Sequence, residues 1–508
     1  MQRTRKLTLR SAAALASVVV IPAFATQAAC PAPAESAGGP TNAHSRYVET
    51  HLLPSVIKPG EKPSTLADRM RDSAVPGISV AVIQGGKLAW ARGWGVRDTK
   101  SCEPITPDTD FQAASISKAV TAVLALRMVE QGKIGLDRNI NDALKSWKLP
   151  VDLHLAPHGV TLRQLLSHTA GLGIHGFNGF APGDALPTEV QMLDGQPPSK
   201  VGPVRSILPA GAQFEYSGGG YLVTELALAD VSGIPFADLA QREVLSPLGM
   251  KRSSFAQPPS PAVLDNVAFG HSHGAPIPGN YEVVPQLAAG GLWTTPADLA
   301  RLLIDIQASA AGKKGHLLSP AMTRDMLTPV KDNWGLGVAV YPDGPKRFGH
   351  DGLNAGYLSF MIADEKGNGI VVMANGDGSR ALMDDVTRAI ATDYGWADMA
   401  PAAMEEKTLS MTELSKAAGH FKGGGLDLNL EVKPDGLYAL LVGAPPSYAE
   451  RLIPLSPRRF RSMSLSTTVE FAPDFSFFTM IEGAPPMKLV RVTDKMPATT
   501  EASPNVRK

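Results

Sequence analysis

The chain has 508 residues, 44% of them hydrophobic and 19% charged, which is enough material for two or three domains with cores of their own. Its 48 basic and 48 acidic side chains cancel, which removes both the basic excess of a nucleic-acid binder and the acidic excess of a solvating segment.

Residues 1–29 read as a signal peptide and its cleavage region. Arg3, Arg5, Lys6 and Arg10 precede an apolar run from Ala12 to Ala25, broken by Ser17 and Pro22, and Ala23-Phe24-Ala25 offers a small-x-small cleavage site. The run, about fourteen residues, is short for a membrane-spanning helix. Its removal leaves 44 basic against 48 acidic residues, a net charge of about −4. The mature chain is therefore expected to be exported, periplasmic or secreted, with no transmembrane segment. Cys30 and Cys102 are the two cysteines, and an oxidising compartment permits a disulfide, although the sequence does not pair them. Cys30 after Ala28-Ala29 is also a conceivable lipid-attachment site, disfavoured by Gln27 where such sites carry an aliphatic residue.

Residues 30–45, rich in Pro, Ala, Gly and Ser, read as a flexible leader. A first folded domain is expected over 46–400. It opens on a proline-interrupted helical stretch from Tyr47 to Asp72, then a β-hairpin of Gly77 to Ile83 and Leu88 to Val96 around Gln84-Gly85-Gly86-Lys87. Ala119 to Gln131 is apolar enough for a largely buried helix ending near Gly132. Leu162 to Ser167 forms a short helix, and a long Gly- and Pro-rich loop spans Gly173 to Gly202, of the kind that borders binding sites. Helices are expected over Tyr221 to Val231, in a second stretch whose end is Leu245 to Met250, and from Pro296 to Ala308 with Thr295 as cap. Strands return at Gly335 to Tyr341, Leu358 to Ala363 and Gly369 to Ala374, before a closing helix from Ala381 to Tyr394. Residues 401–508 read as a small all-β domain and tail, with strands near Leu426 to Val432, Gly436 to Val442, Val469 to Phe471 and Phe477 to Ile481.

The chemistry is expected at Ser115-Ile116-Ser117-Lys118. Residues three apart share a helix face, so the Lys118 amine can reach the Ser115 hydroxyl, and the first helical turn favours negative charge there. A serine needs a nearby base, and a lysine becomes one when burial or a neighbouring cation lowers its pKa. Two later stretches set reactive side chains beside glycines that let backbone approach a ligand: Tyr216 in Phe214-Glu215-Tyr216-Ser217-Gly218-Gly219-Gly220, and His350 in Phe348-Gly349-His350-Asp351-Gly352, on an expected edge strand.

In this order the three stretches resemble the motifs of the serine β-lactamase and penicillin-binding-protein superfamily, most closely its class C-like branch of β-lactamases, esterases and D-amino-acid peptidases. Leu165-Leu166-Ser167-His168-Thr169-Ala170-Gly171-Leu172, Pro247-Leu248-Gly249-Met250 and the run from Gly290 to Leu299 support the resemblance over roughly residues 46 to 400. It implies an α+β fold, with an antiparallel sheet flanked by helices, a helical region, and the active site between them. It also implies Ser115 as nucleophile, Lys118 and Tyr216 as proton carriers, the N–H groups of Ser115 and Leu353 as oxyanion donors, and His350, Gly352 and Asn354 beside the substrate. No cofactor or metal is expected. Whether Lys118 or Tyr216 takes the first proton stays open.

The chain departs from the pattern twice. Gly218 stands where the second motif usually carries asparagine, and His350-Asp351 replaces Lys-Thr, exchanging a fixed cation for one that titrates near neutrality. Both point away from a β-lactam carboxylate and towards hydrolysis of an ester, amide or peptide through an acyl-enzyme. A β-lactamase or D-amino-acid-specific peptidase is one alternative, and a penicillin-binding sensor that does not turn over is another. His168 is expected in a structural turn, His271-Ser272-His273 on a solvent-facing loop, and Trp293 and Tyr357 either in the core or along the cleft.

Overall fold

A computed structural model describes Cys30 and residues 38–492, apart from 59, 151–158, 342–344, 398, 400–402, 424–425, 463–466 and 481–486. The signal segment and most of the leader lie outside the described residues. Neither cysteine is a free thiol. Every element below lies within the unit Pro31–Lys508.

Six antiparallel strands form the central sheet: β1 (Gly77–Gln84), β2 (Lys87–Gly95), β3 (Ala339–Tyr341), β4 (Arg347–Asn354), β5 (Tyr357–Asp364) and β6 (Gly369–Ala374). Their spatial order is β2-β1-β6-β5-β4-β3. The alternation of a strand sends Ile78, Val80 and Val82 to one face and Ala81 and Ile83 to the other, and both faces are covered. On one side lie α1 (Ser117–Glu130), α2 (Gly218–Ser232) and α3 (Pro296–Ala310); on the other, α4 (Arg380–Asp393) packs through Leu382, Val386 and Ile390. The α1 sequence is apolar on all sides because the helix is enclosed on all sides, with eleven of its residues buried. Thr295 caps α3 through the Asp298 N–H, as its sequence leads one to expect.

The β3 strand is shorter than expected and pairs with β4 only as far as Gly349. From His350 onward β4 is an edge strand, leaving its outer backbone free beside the helical layer. The proline-rich start resolves into two helices, Ala43–Thr50 and Leu66–Asp72, and the α2 helix begins three residues before the apolar pattern, at Gly218.

The C-terminal strands close into an eight-stranded barrel from Gly419 to Arg491. Phe421, Phe460, Phe471, Phe478 and Leu489 fill its interior, so it is a packed core. Glu406 meets Arg451 at 2.8 Å where the barrel joins the preceding segment. The buried Arg461 guanidinium feels Asp384, Arg388 and Arg380 of α4.

Candidate active site

Ser115 sits in a single 3-10 turn, Ala114–Ile116, that feeds directly into α1. Ala114 holds φ at +49°, the left-handed region that L-residues rarely occupy, so the turn is locally strained. Surrounding bonds hold it. Ala113 N–H donates to Leu292 O at 2.9 Å, Ser359 Oγ donates to Ala113 O at 2.7 Å, and the Leu292 N–H donates to Ser117 Oγ at 3.1 Å.

One turn along, Lys118 is 2% exposed, and its Nζ lies 3.0 Å from Ser115 Oγ and 2.7 Å from Ala289 O. Burial lowers its pKa to about 7, against a small opposing effect of the Asp351 carboxylate. At neutral pH a large share of this lysine is therefore the free amine, in reach of a hydroxyl proton. The Tyr216 ring lies 5.0 Å from Nζ, and its hydroxyl is hydrogen-bonded to Ser115. Burial pushes the Tyr216 phenol well above its ordinary range, and the Ser115 bond opposes this only in part. Tyr216 therefore keeps its proton at neutral pH, where Lys118 is about half free amine.

Gly352 on β4 faces the same turn. A Cβ there would overlap Ala113 O, lie 2.6 Å from Ser359 Oγ and lie 2.8 Å from Ser115 N, so only glycine lets the strand approach the nucleophile's N–H. Leu353 follows with a 65% exposed side chain. Asn354 is tied down: its Nδ2 donates to Gln112 Oε1 at 2.7 Å and weakly to Gly290 O at 3.4 Å, joining β4 to the wall of the site.

His350 is 4% exposed, and its Nδ1 donates to Asp351 O at 2.5 Å. Burial lowers its pKa to about 4, so the ring is neutral at pH 7 and does not titrate near neutrality as the sequence suggests. The proton sits on Nδ1, which leaves Nε2 as an acceptor. Asp351 points the other way and meets Arg380 of α4 at 3.1 Å.

Gly218 N–H donates to His175 O at 3.1 Å, and a Cβ at Gly218 would lie 2.9 Å from the Phe177 ring. The space that an asparagine would need is thus held by Phe177, from the glycine-rich loop. Trp334 completes an aromatic wall, with ring centroids 5.4 Å from Phe214, 5.9 Å from Tyr216 and 5.3 Å from His350.

The structure therefore gathers Ser115, Lys118, Tyr216, His350 and Gly352 at one place. Trp293 and Tyr357, each fully buried, pack edge to face at 5.9 Å in the core instead of along the cleft. His271 is also fully buried, with Nδ1 3.1 Å from Asn375 O, which overturns its reading as a solvent-facing loop residue. His168 sits in a turn at φ +57°, as expected. The sequence reading missed Trp334, Phe177 and the Ala289 carbonyl. Trp334 carries a signal, an aromatic residue in the glycine-rich Asn333-Trp334-Gly335-Leu336-Gly337; a backbone carbonyl carries none.

A family model described as Beta-lactamase matches residues 64–393. The chain belongs to the beta-lactamase family. It is a serine hydrolase of that type, related to the penicillin-binding proteins. It is 27% identical over 340 residues to penicillin-binding protein 4 of Amycolatopsis lactamdurans, covering 62% of this chain and 85% of that one. To protein flp of Staphylococcus aureus (strain N315) it is 24% identical over 313 residues, covering 59% of this chain and only 60% of flp. The octameric penicillin-binding protein homologue from Pyrococcus abyssi shares the fold with a TM-score of 0.56 at 23% identity, over 83% of this chain and 98% of that one. The D-amino acid amidase from Ochrobactrum anthropi SV3, solved with L-phenylalanine amide, shares it at 0.52 and 22% identity, over 65% of this chain and 97% of the amidase. Among the described residues no helix is long and apolar enough to cross a membrane, and no cluster of three or more His, Cys, Asp or Glu side chains could hold a metal ion.

Proposed function

We propose that this chain is an exported hydrolase that acylates Ser115 with an uncharged ester or amide whose acyl group is apolar. The observation that carries the proposal is the Lys118 amine, 3.0 Å from Ser115 Oγ with its pKa lowered to about 7. The Ser115 proton passes to Nζ as Oγ attacks the carbonyl carbon. The oxyanion is met by the N–H groups of Ser115 and Leu353, each such donor worth ~3 kcal/mol. The tetrahedral species collapses as the leaving group takes its proton from Lys118 through Tyr216 and departs. Water then attacks the acyl-serine, giving a proton to the same amine, and as the C–Oγ bond breaks the amine returns a proton to Ser115 Oγ and the acid leaves.

Substrate class follows from the walls. His350 is neutral and offers an acceptor, the Asp351 carboxylate acts on Lys118 while paired with Arg380, and Phe177, Phe214 and Trp334 present rings. A substrate carboxylate finds no lysine at the third motif, whereas an apolar acyl group finds aromatic surface. The test exposes mature protein and Ser115→Ala to a serine-reactive phosphonate, a penicillin, short-chain esters and D-amino-acid amides. Ester release lost in the variant supports the proposal. Equal phosphonate labelling of both proteins refutes the nucleophile, amide turnover alone favours the peptidase, and a stable penicillin adduct without turnover favours the sensor.

A further inference from the structure

His168 makes contact with the site from an unexpected direction. It is 1% exposed and holds φ at +57°. Its carbonyl accepts the Glu215 N–H at 2.7 Å, and its ring Nδ1 accepts the Ser217 N–H at 3.0 Å. Glu215 and Ser217 are the two neighbours of Tyr216. The imidazole itself lies against the phenol ring, with centroids 4.2 Å apart and planes inclined by 30°.

We infer that His168 is a positioning residue for Tyr216, clamping the backbone on both sides of the tyrosine and bracing its ring. The inference rests on the reading above, in which Tyr216 carries a proton between Lys118 and the leaving group. Its physical basis is threefold. The left-handed backbone at His168 lets one residue present carbonyl and side chain to the same short segment. Two hydrogen bonds and one ring contact then fix the peptide planes that set the direction of the Tyr216 side chain. Burial keeps the imidazole neutral, and the protonated share of Lys118 acts in the same direction.

Neutrality decides against a catalytic role. A neutral imidazole has one nitrogen lone pair in the ring plane, and here it is taken by the Ser217 N–H, which puts the proton on Nε2. Nε2 is buried and has no hydrogen-bond partner among the described residues. The ring can therefore accept a proton from substrate only by releasing the clamp.

The test uses three variants of the full mature chain with an ester substrate. His168→Asn places an amide oxygen where Nδ1 stood and tolerates the left-handed backbone; His168→Gln carries its amide one bond farther, beyond reach of the Ser217 N–H. We expect His168→Gln to lose kcat by about 100-fold with KM within about twofold, the scale of an ångström of misplacement, and His168→Asn to recover at least tenfold of that loss. The acidic limb of the pH–rate profile, set by Lys118, stays where it is in both. His168→Gln with wild-type kcat overturns the inference, and so does His168→Asn that is as inactive as His168→Gln. Tyr216→Phe separates this inference from the reading beneath it: full activity there refutes the role of Tyr216, whereas its loss beside an unaffected His168→Gln refutes only the clamp. A measurement on unaltered protein guards against misfolded variants. Imidazole nitrogen NMR is expected to show His168 protonated on Nε2 at pH 7, and protonation on Nδ1 overturns the inference.

Discussion

Replacing Lys118 by methionine is expected to abolish activity and stabilise the fold at neutral pH. In the folded chain the lysine pKa falls from its ordinary 10.5 to about 7. Between those values the unfolded chain binds a proton that the folded chain does not, so stability rises with pH across the window and the full cost of the lysine is felt at and below pH 7. At 1.36 kcal/mol per pKa unit the cost reaches about 5 kcal/mol. Methionine removes it but leaves Ala289 O without its partner, a loss of about 1–3 kcal/mol. The variant should therefore be more stable by about 2–4 kcal/mol at pH 7, and less stable than the wild type near pH 10.5. Urea unfolding followed by tryptophan fluorescence at several pH values reads both ends, and phosphonate labelling checks that the serine has lost its base. A variant no more stable than the wild type at pH 7, or a difference that does not change with pH, would refute the argument that burial sets the basicity of this amine. The same shift predicts that kcat/KM falls as pH drops through about 7, where the amine becomes protonated.

Other substitutions test the walls of the site. Gly352→Ala should cut phosphonate labelling of Ser115 by about 100-fold or more, because the new methyl would lie 2.8 Å from Ser115 N and overlap Ala113 O; labelling at the wild-type rate would show that the close approach is dispensable. Gly218→Asn should cost about 1–3 kcal/mol in unfolding experiments, since its Cβ meets Phe177 at 2.9 Å. Adding Phe177→Ala should return part of that loss, and strictly additive effects would count against the contact. Glu225, 1% exposed, accepts the Ala288 N–H at 2.8 Å and shares a hydrogen bond with Glu189. Burial raises its pKa well above 4.5, so the folded chain holds a proton that the unfolded chain releases, and stability falls as pH rises above 4.5. Glu225→Gln should raise the thermal midpoint at pH 8 and lose that advantage towards pH 4; an unchanged midpoint at pH 8 would refute a protonated Glu225.

The parts of this site that were legible in the sequence are those whose chemistry needs a particular side chain at a particular spacing. Ser115 and Lys118 meet because a helical turn brings residues three apart together, and Gly352 stands out because nothing larger allows β4 so close. The expected strands of the central sheet appear because they are β-rich runs between clear turns. Barrel closure was harder to read. Glu450–Ser456 carries Pro454, Arg459–Ser462 has two arginines in four residues, and half-buried strands of this kind show little alternation. The charge state of His350 was also invisible, because a histidine's pKa depends on how completely the folded chain covers it. Trp334, Phe214 and Phe177 come from separate segments and form a wall only once α2 and β4 are in place.

These features give the site a consistent electrostatic character. Lys118 is half neutral near pH 7, Tyr216 keeps its proton, His350 and His168 are uncharged, and Asp351 turns outward to Arg380. The ground state thus holds little fixed charge beside Ser115. In the mechanism proposed above, charge develops in the transition state, as the amine gains a proton and the carbonyl oxygen becomes an oxyanion a few ångströms away. A dry site strengthens the attraction between those two new charges, and the backbone N–H groups that face the oxyanion are already fixed by the strained turn and by β4. A substrate that brought its own carboxylate would add a third charge with no cation at position 350 to balance it. On the proposed mechanism, His350 and Gly218 leave acylation at Ser115 intact and change the class of carbonyl compound that can reach it.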